Sequence, residues 1–375
     1  MPYRSGSAAA TRASKLALCM VVCASGGAVS PTLASPREGD PRQGARIPTS
    51  YCAYDLGSRL TVEAINNRNQ IVGTAALDND LFQAFVWDWR RGLSLLGVAP
   101  GAAVSTANDI NDMGRVVGES GGPYVWDAAR GMRRFEALGG QSATATDINN
   151  ARNVIGLSST TAEDGEHLYF RERNGDVLDL GFAKIPFGLS NSGEVGFSVQ
   201  SQQPPPSSQV FIWEPDTGER LLSGFPPDRL VLPAALNDRL HIVGSVLRDD
   251  QLTHAMRWTP EEGMEELTAP DEAGFSHAAD VNESGTIVGY MEQGLQIRPF
   301  IWDEHSGLRD LTTLLDPTSP AVPQADLIEP RALNDEGWIA IDVGPRSGPY
   351  ERAYVLIPKF RTNRACTQRP SVSGN

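Results

Sequence analysis

Nowhere in this 375-residue chain does an apolar run reach the ~20 residues that a membrane-spanning helix needs. Histidine is scarce. The five present (His167, His241, His254, His277 and His305) show no H-x-x-x-H spacing and no C-x-x-C pair accompanies them, so a zinc site has no sequence support. The S-x-x-K pair and the glycine-rich phosphate loop are missing too, and with them two readable signatures of hydrolases and nucleotide-binding enzymes. Positive charge is short: 32 Lys and Arg against 46 Asp and Glu leave a net charge of −14. Neutralising phosphates takes clustered basic residues, so no nucleic-acid partner is expected. The reading assigns no catalytic residue, no metal ligand and no cofactor.

Cysteine is also rare, four in all. Arg4, Arg12 and Lys15 precede an apolar run at 16–23, and small residues succeed it up to Thr32-Leu33-Ala34. That order reads as a secretory signal over 1–34, with 35–50 a polar, Pro- and Gly-bearing linker. Val22-Cys23-Ala24 is a second cleavage option that crowds the apolar run, and the bulk of Leu18 argues against lipoprotein processing at Cys19. Cleavage after Ala34 removes three positive charges and no acid, taking −14 to −17. It also removes Cys19 and Cys23. Cys52 and Cys366 remain, near opposite ends of the mature chain, and an even pair in an exported chain reads as a disulfide, with two free thiols the alternative.

What the chain has in plenty is one motif. Residues 107–118 read A-N-D-I-N-D-M-G-R-V-V-G, with close copies at 64–73, 145–156, 235–244 and 279–289 and worn ones at 188–197 and 332–341. The marker asparagine falls at Asn66, Asn111, Asn149, Asn237, Asn282 and Asn334, with Ser190 in the fourth copy. The spacings are 45, 38, 41, 47, 45 and 52 residues. A period near 40–45, filled by four short apolar runs rich in β-branched and aromatic residues, predicts a seven-bladed β-propeller of four-stranded antiparallel blades over 51–360, with 361–375 a tail. Asn at the first position of a turn and Gly at the fourth (Asn111/Gly114, Asn282/Gly285, Asn334/Gly337) predict a type I turn capped by the Asn side chain. The Gly seven residues after the Asn predicts a bulge or a close backbone approach. A Trp ends the third run at Trp87, Trp126, Trp213, Trp258 and Trp302, a position better explained by packing between blades than by sugar stacking.

These residues resemble the HAF family of probable extracellular repeats. His254-Ala255-Met256-Arg257-Trp258 and the A-D-V-N-E-S-G-T-I-V-G stretch at 279–289 match it best, and the likeness runs from Tyr51 to about Pro358. The resemblance implies export and a repeat fold, and no particular reaction. Ser190 for Asn, Phe197 and Ile341 for Gly, and Arg171 and Leu356 for Trp suggest drift in blades three, four and seven.

The seventh copy stops after its third run. Tyr54-Asp55-Leu56-Gly57 resembles the run that ends the third copy, so the N-terminal segment is expected to supply the outer strand of the last blade. Cys52 and Cys366 would then lie close together. The Asp109–Gly114 stretch lacks the fifth and twelfth ligands of a calcium loop, having Met113 and Ser120 there, and reads as a turn. The loops between second and third strands carry eleven acids, Asp342 among them, against Arg248 and Arg346, a net of −9. Asp78, Asp80, Glu163, Asp164, Asp249 and Asp250 are therefore the candidate binding residues for a cationic or small-molecule partner, unless the rim serves only solubility. The expectation is an exported, monomeric binding scaffold. A glycan-directed hydrolase with its site at the channel mouth, or a structural part of an envelope assembly, are the alternatives.

Overall fold

The computed structural model describes residues 48–78, 81–162, 165–201, 203, 206–267, 273–319, 327–345, 352–359 and 366. The expected signal, the expected linker up to residue 47 and most of the expected tail lie outside them. Seven four-stranded antiparallel blades form a closed propeller. Blade 1 runs outward from the channel as Leu60–Ile65, Gln70–Ala76, Phe82–Asp88 and Gly92–Gly97. Blades 2 to 6 repeat that path over 106–134, 139–182, 185–221, 231–266 and 273–310. No helix of the described residues is long and apolar enough to cross a membrane.

The repeat glycine has a definite cause. All seven inner strands carry a register shift at one repeat position, such as Val62/Ala64, Ala107/Asp109 and Ala145/Asp147. The bulge drives the inner backbone into the second strand. A Cβ on Gly73, Gly118 or Gly156 would lie 2.0 Å from the carbonyl oxygen of Thr61, Thr106 or Thr144. The third strand then covers the bare glycine with an aromatic ring, and Tyr124 and Tyr169 donate their hydroxyls to the carbonyls of Thr106 (2.9 Å) and Thr144 (3.0 Å). Where Phe197 replaces the glycine, it stacks on Phe211 instead, with ring centres 5.2 Å apart.

The third-strand tryptophans sit between blades. Trp87 packs with Ala332, Ala340 and Val355 of blade 7, and Trp213 with Leu168 and Phe170 of blade 3. Burial of each such ring removes ~150–250 Å² from water and dominates the junction. Trp87, Trp213, Trp258 and Trp302 are buried there, which leaves them no open face for sugar stacking.

The last blade consists of Leu327–Leu333, Ile339–Gly344 and Arg352–Lys359, completed by the N-terminal strand Ser50–Ser58 in antiparallel register. Cys52 and Cys366 form a disulfide with their Cα atoms 5.6 Å apart. The link that starts at Thr312 seals the outer edge of the closing strand with its part up to Ser319. A 3₁₀ turn, Leu311–Leu314, leads into it; Asp316 N–H donates to Tyr51 O (2.8 Å), and Ala53 N–H to Ser319 Oγ (2.6 Å). Covering that edge removes the exposed row of donors and acceptors on which other chains could pair.

Candidate functional site: the channel mouth on the turn face

Every turn that joins an inner strand to a second strand opens on the same end of the channel. Its marker Asn caps the turn: Asn111 Oδ1 accepts from the N–H groups of Met113 and Arg115, both at 3.1 Å. Gly114, Gly285 and Gly337 take the positive φ the fourth position requires (74°, 84° and 80°). The amide of the same Asn points sideways. Asn66 Nδ2 donates to Asn111 O, Asn111 to Asn149 O, Asn149 to Ser190 O, Asn237 to Asn282 O, Asn282 to Asn334 O, and Asn334 back to Asn66 O, at 2.9–3.2 Å. Only Ser190 has no amide to pass on.

A second ring lies just outside and is complete. The residue after each marker accepts the backbone N–H of its counterpart in the preceding blade. Asn67 N–H donates to Asp112, Asp112 to Asn150, Asn150 to Asn191, Asn191 to Asp238, Asp238 to Glu283, Glu283 to Asp335, and Asp335 to Asn67, at 2.6–2.9 Å. Amides also hold the carboxylates' second oxygens: Asn67 and Asn150 reach Asp335 and Asp112, and Asn191 reaches Asp238, each at 2.8 Å. These side chains line an open depression of ≈ 220 Å³.

Four of the seven ring members are acids, and three of them (Asp238, Glu283, Asp335) are consecutive. Burial, with its two acidic neighbours adding to it, pushes the Glu283 carboxyl above the ordinary carboxylate range, although the bond from Asp238 N–H opposes the shift. The mouth is thus a rigid, acceptor-rich rim.

Of the sequence-chosen acids, the three that are described have partners within their own blades. Asp78 in blade 1 pairs with Arg59 at 2.9 Å. In blade 5, Asp249 faces Arg229 at 3.7 Å, while Asp250 caps Leu252 N–H and faces His254 at 3.7 Å. Asp80, Glu163 and Asp164 lie outside the described residues. Asp342 is a correction, being no loop residue but a fully buried member of Ile339–Gly344. It accepts Val62 N–H (3.0 Å) and pairs with Arg331 Nε (3.1 Å), and burial pushes its carboxyl up to about 7. The mouth residues were legible as a column of Asn, Asp and Glu following each marker, and the sequence reading passed over that column.

No family model matches the chain, and no curated protein matches it. Among solved structures, virginiamycin B lyase from Staphylococcus aureus is similar with a TM-score of 0.52 at 9% identity, covering 82% of this chain and 98% of the lyase. The β-propeller domain of the Trilobed protease from Pyrococcus furiosus gives 0.52 at 10%, covering 81% and 94%. That domain is described as having an open velcro topology, whereas here the N-terminal strand closes the ring. Acylaminoacyl peptidase from Pyrococcus horikoshii gives 0.50 at 9%, covering 80% of this chain and 51% of the peptidase. Identities this low show the fold alone. The chain is a seven-bladed β-propeller.

Proposed function

We propose that the chain is an exported propeller of the HAF-repeat kind that serves as a binding scaffold, and that the channel mouth, rather than the acidic loops, takes the ligand. The disulfide supports export, since such bonds persist in oxidising compartments. The observation that carries the site is the complete outer ring of N–H to side-chain bonds, which holds seven polar side chains in fixed positions before any ligand arrives. Preorganisation of that kind lowers the ordering cost of binding. Its acceptor-rich character suits a cationic side chain or a small polyol. One observation favours a second reading. A Glu283 carboxyl held neutral to higher pH beside Asp238 is the arrangement that lets one carboxyl act as acid and another as base in glycoside hydrolysis.

Thermal-shift screening of the exported protein against saccharides and basic peptides, with Glu283→Gln/Asp335→Asn in parallel, tests both readings. Hits lost in the variant support the mouth, and hits that shift both proteins equally count against it. Release of nitrophenol from a chromogenic glycoside, abolished by Glu283→Gln, would establish the hydrolase.

A further inference from the structure

One short segment touches both ends of the folded chain. Residues 315–319 follow the turn Leu311–Leu314 and run beside the closing strand Ser50–Ser58, with Tyr51 and Leu315 forming a parallel bridge. Asp316 N–H donates to Tyr51 O at 2.8 Å. Ser319 Oγ accepts Ala53 N–H (2.6 Å) and donates to Ala53 O (3.2 Å). Tyr51 and Ala53 are the two neighbours of Cys52. Their side chains belong to one buried cluster with Leu311 and Leu314, against which Leu315 packs, so apolar contact and backbone bonds hold the same place.

The same segment holds the other cysteine. Thr318 Oγ1 accepts Cys366 N–H at 2.9 Å and donates its own proton to Asp316. Asp316 pairs with Lys359, which ends the strand that Ser50–Ser58 lies against; the two side chains are only 11% and 16% exposed, so water screens the pair poorly. Thr49 Oγ1 donates to Lys359 O at 3.0 Å and ties the entry of the closing strand to that point. A relay therefore runs from Lys359 through Asp316 and Thr318 to Cys366, while Asp316 and Ser319 hold the residues on either side of Cys52. Spacing along the chain gives these contacts their weight. Cys52 and Cys366 are 314 residues apart, whereas Ser319 is 266 from Ala53 and Thr318 is 48 from Cys366. Closure cost grows only as the logarithm of length, so the shorter loop is a modest gain by itself. The larger gain is that fixed partners hold both thiols as neighbours before they react.

We infer that residues 315–319 are a strap that closes the ring without the covalent bond and presents Cys366 to Cys52, so that the disulfide locks a closure already made. The bond then forms by exchange with a low-molecular-weight disulfide. One protein thiolate attacks it and releases one small thiol, and the second protein thiolate displaces the other from the mixed disulfide. Two protein thiols are oxidised and one small disulfide is reduced to two thiols. The strap supplies no electrons; it sets the effective concentration of one thiol at the other.

Equilibration of the folded full chain with reduced and oxidised glutathione, quenched by alkylation, tests the strap, the Cys52–Cys366 bond being read by peptide mass spectrometry. Thr318→Val/Ser319→Ala should lower the effective concentration of the two thiols about tenfold, because hydrogen bonds at both cysteines are lost. Thr318→Ser keeps the hydroxyl and should match the parent. Ser105→Ala is the control. That serine bridges Ala84 N–H (2.9 Å) and Gly97 O (2.6 Å) between blades 1 and 2, so its loss should cost similar stability and leave the thiols as they were. Cys52→Ser/Cys366→Ser should still melt cooperatively. If the double strap variant does not fold, Thr318→Val alone is read the same way. An unchanged thiol equilibrium in the strap variant, no rescue by Thr318→Ser, an equal loss in Ser105→Ala, or a Cys52→Ser/Cys366→Ser protein without a cooperative melt would each overturn the inference.

Discussion

The junction between blades 7 and 1 and that between blades 4 and 5 are built from the same repeat and are not equally secured. At 7/1 every polar bond of the pattern is present and more are added. Asn334 reaches both Asn66 O (3.0 Å) and Asn69 Oδ1 (2.7 Å), and Asn69 reaches Glu336 at 2.9 Å. Asp342 bridges to Val62 N–H, and Trp89 meets Tyr54 and Trp338 edge to face at 4.9 and 5.8 Å. At 4/5 the inner ring is broken: Ser190 turns its hydroxyl to Glu194 and sends nothing to Asn237. That junction relies on Asn191 and Asp238 and on an apolar core in which Phe225 stacks on Trp258 at 5.7 Å. The difference shows where the fold needs reinforcement. Blades 4 and 5 are consecutive along the chain, so their proximity is nearly automatic. The parts that meet at the closure are hundreds of residues apart, and loop-closure entropy opposes them.

Removing the closure should have the largest effect. Deletion of 51–57 takes away the outer strand of blade 7 and buried Tyr51 and Ala53, and should leave a chain that aggregates instead of melting cooperatively; a truncated protein that melts like the parent would refute the latch. Next comes the disulfide. It closes a loop of 314 residues, for which chain entropy gives on the order of 5–6 kcal/mol, less any strain. Cys52→Ser/Cys366→Ser should show that loss in guanidinium titration, and the exported parent should have no thiol reactive to Ellman's reagent without reductant.

The third effect depends on pH. Because the folded protein holds the Asp342 proton up to about 7, against an ordinary value of 3.8, it binds that proton more tightly than the unfolded chain does between those values. The stability this provides is complete below the ordinary range and is lost as pH rises through about 7. Asp342→Asn should therefore gain on the parent as pH is raised from 4.5 to 8, by something on the order of 1–4 kcal/mol in urea titrations. A difference between the two that does not change with pH would show that Arg331 keeps the carboxylate ionised. The smallest effect is a repair. Ser190→Asn restores the missing amide opposite Asn237 O and should stabilise by ~0.5–1.5 kcal/mol, the net worth of one hydrogen bond. No gain would mean that the core at 4/5 fixes the blades too far apart for the bond to form.

The closing strand, the disulfide and the seven-fold repeat were all legible in the sequence because each rests on residues that recur at fixed spacing or are rare enough to be paired. Gly73 and Gly118 announced the bulges in the same way. The candidate site was less legible. Loop acids such as Asp249 and Asp250 stand out in a composition count, but a count cannot show Arg229 and His254 folding back on them. Asp342 looked like loop because Ile341 replaces the repeat glycine, and three-dimensional burial alone reveals it as strand. The mouth escaped notice for the opposite reason: a ring assembled from single residues some 40 apart has no local signature.

The strand that seals the ring is also the earliest part of it to be made. Its partner strand ends near Lys359 and its disulfide partner is Cys366, so at ~5–20 residues per second the wait for 314 residues is roughly 15–60 s of synthesis. Through that interval the apolar segment S-Y-C-A-Y-D-L-G-S has no mate and Cys52 no correct thiol to meet. Blades 1 to 6 can form in order while it waits. The vulnerable species in the life of this protein is therefore a nearly finished wheel with one loose spoke, and whatever shields that spoke during synthesis governs how much of the protein closes intact.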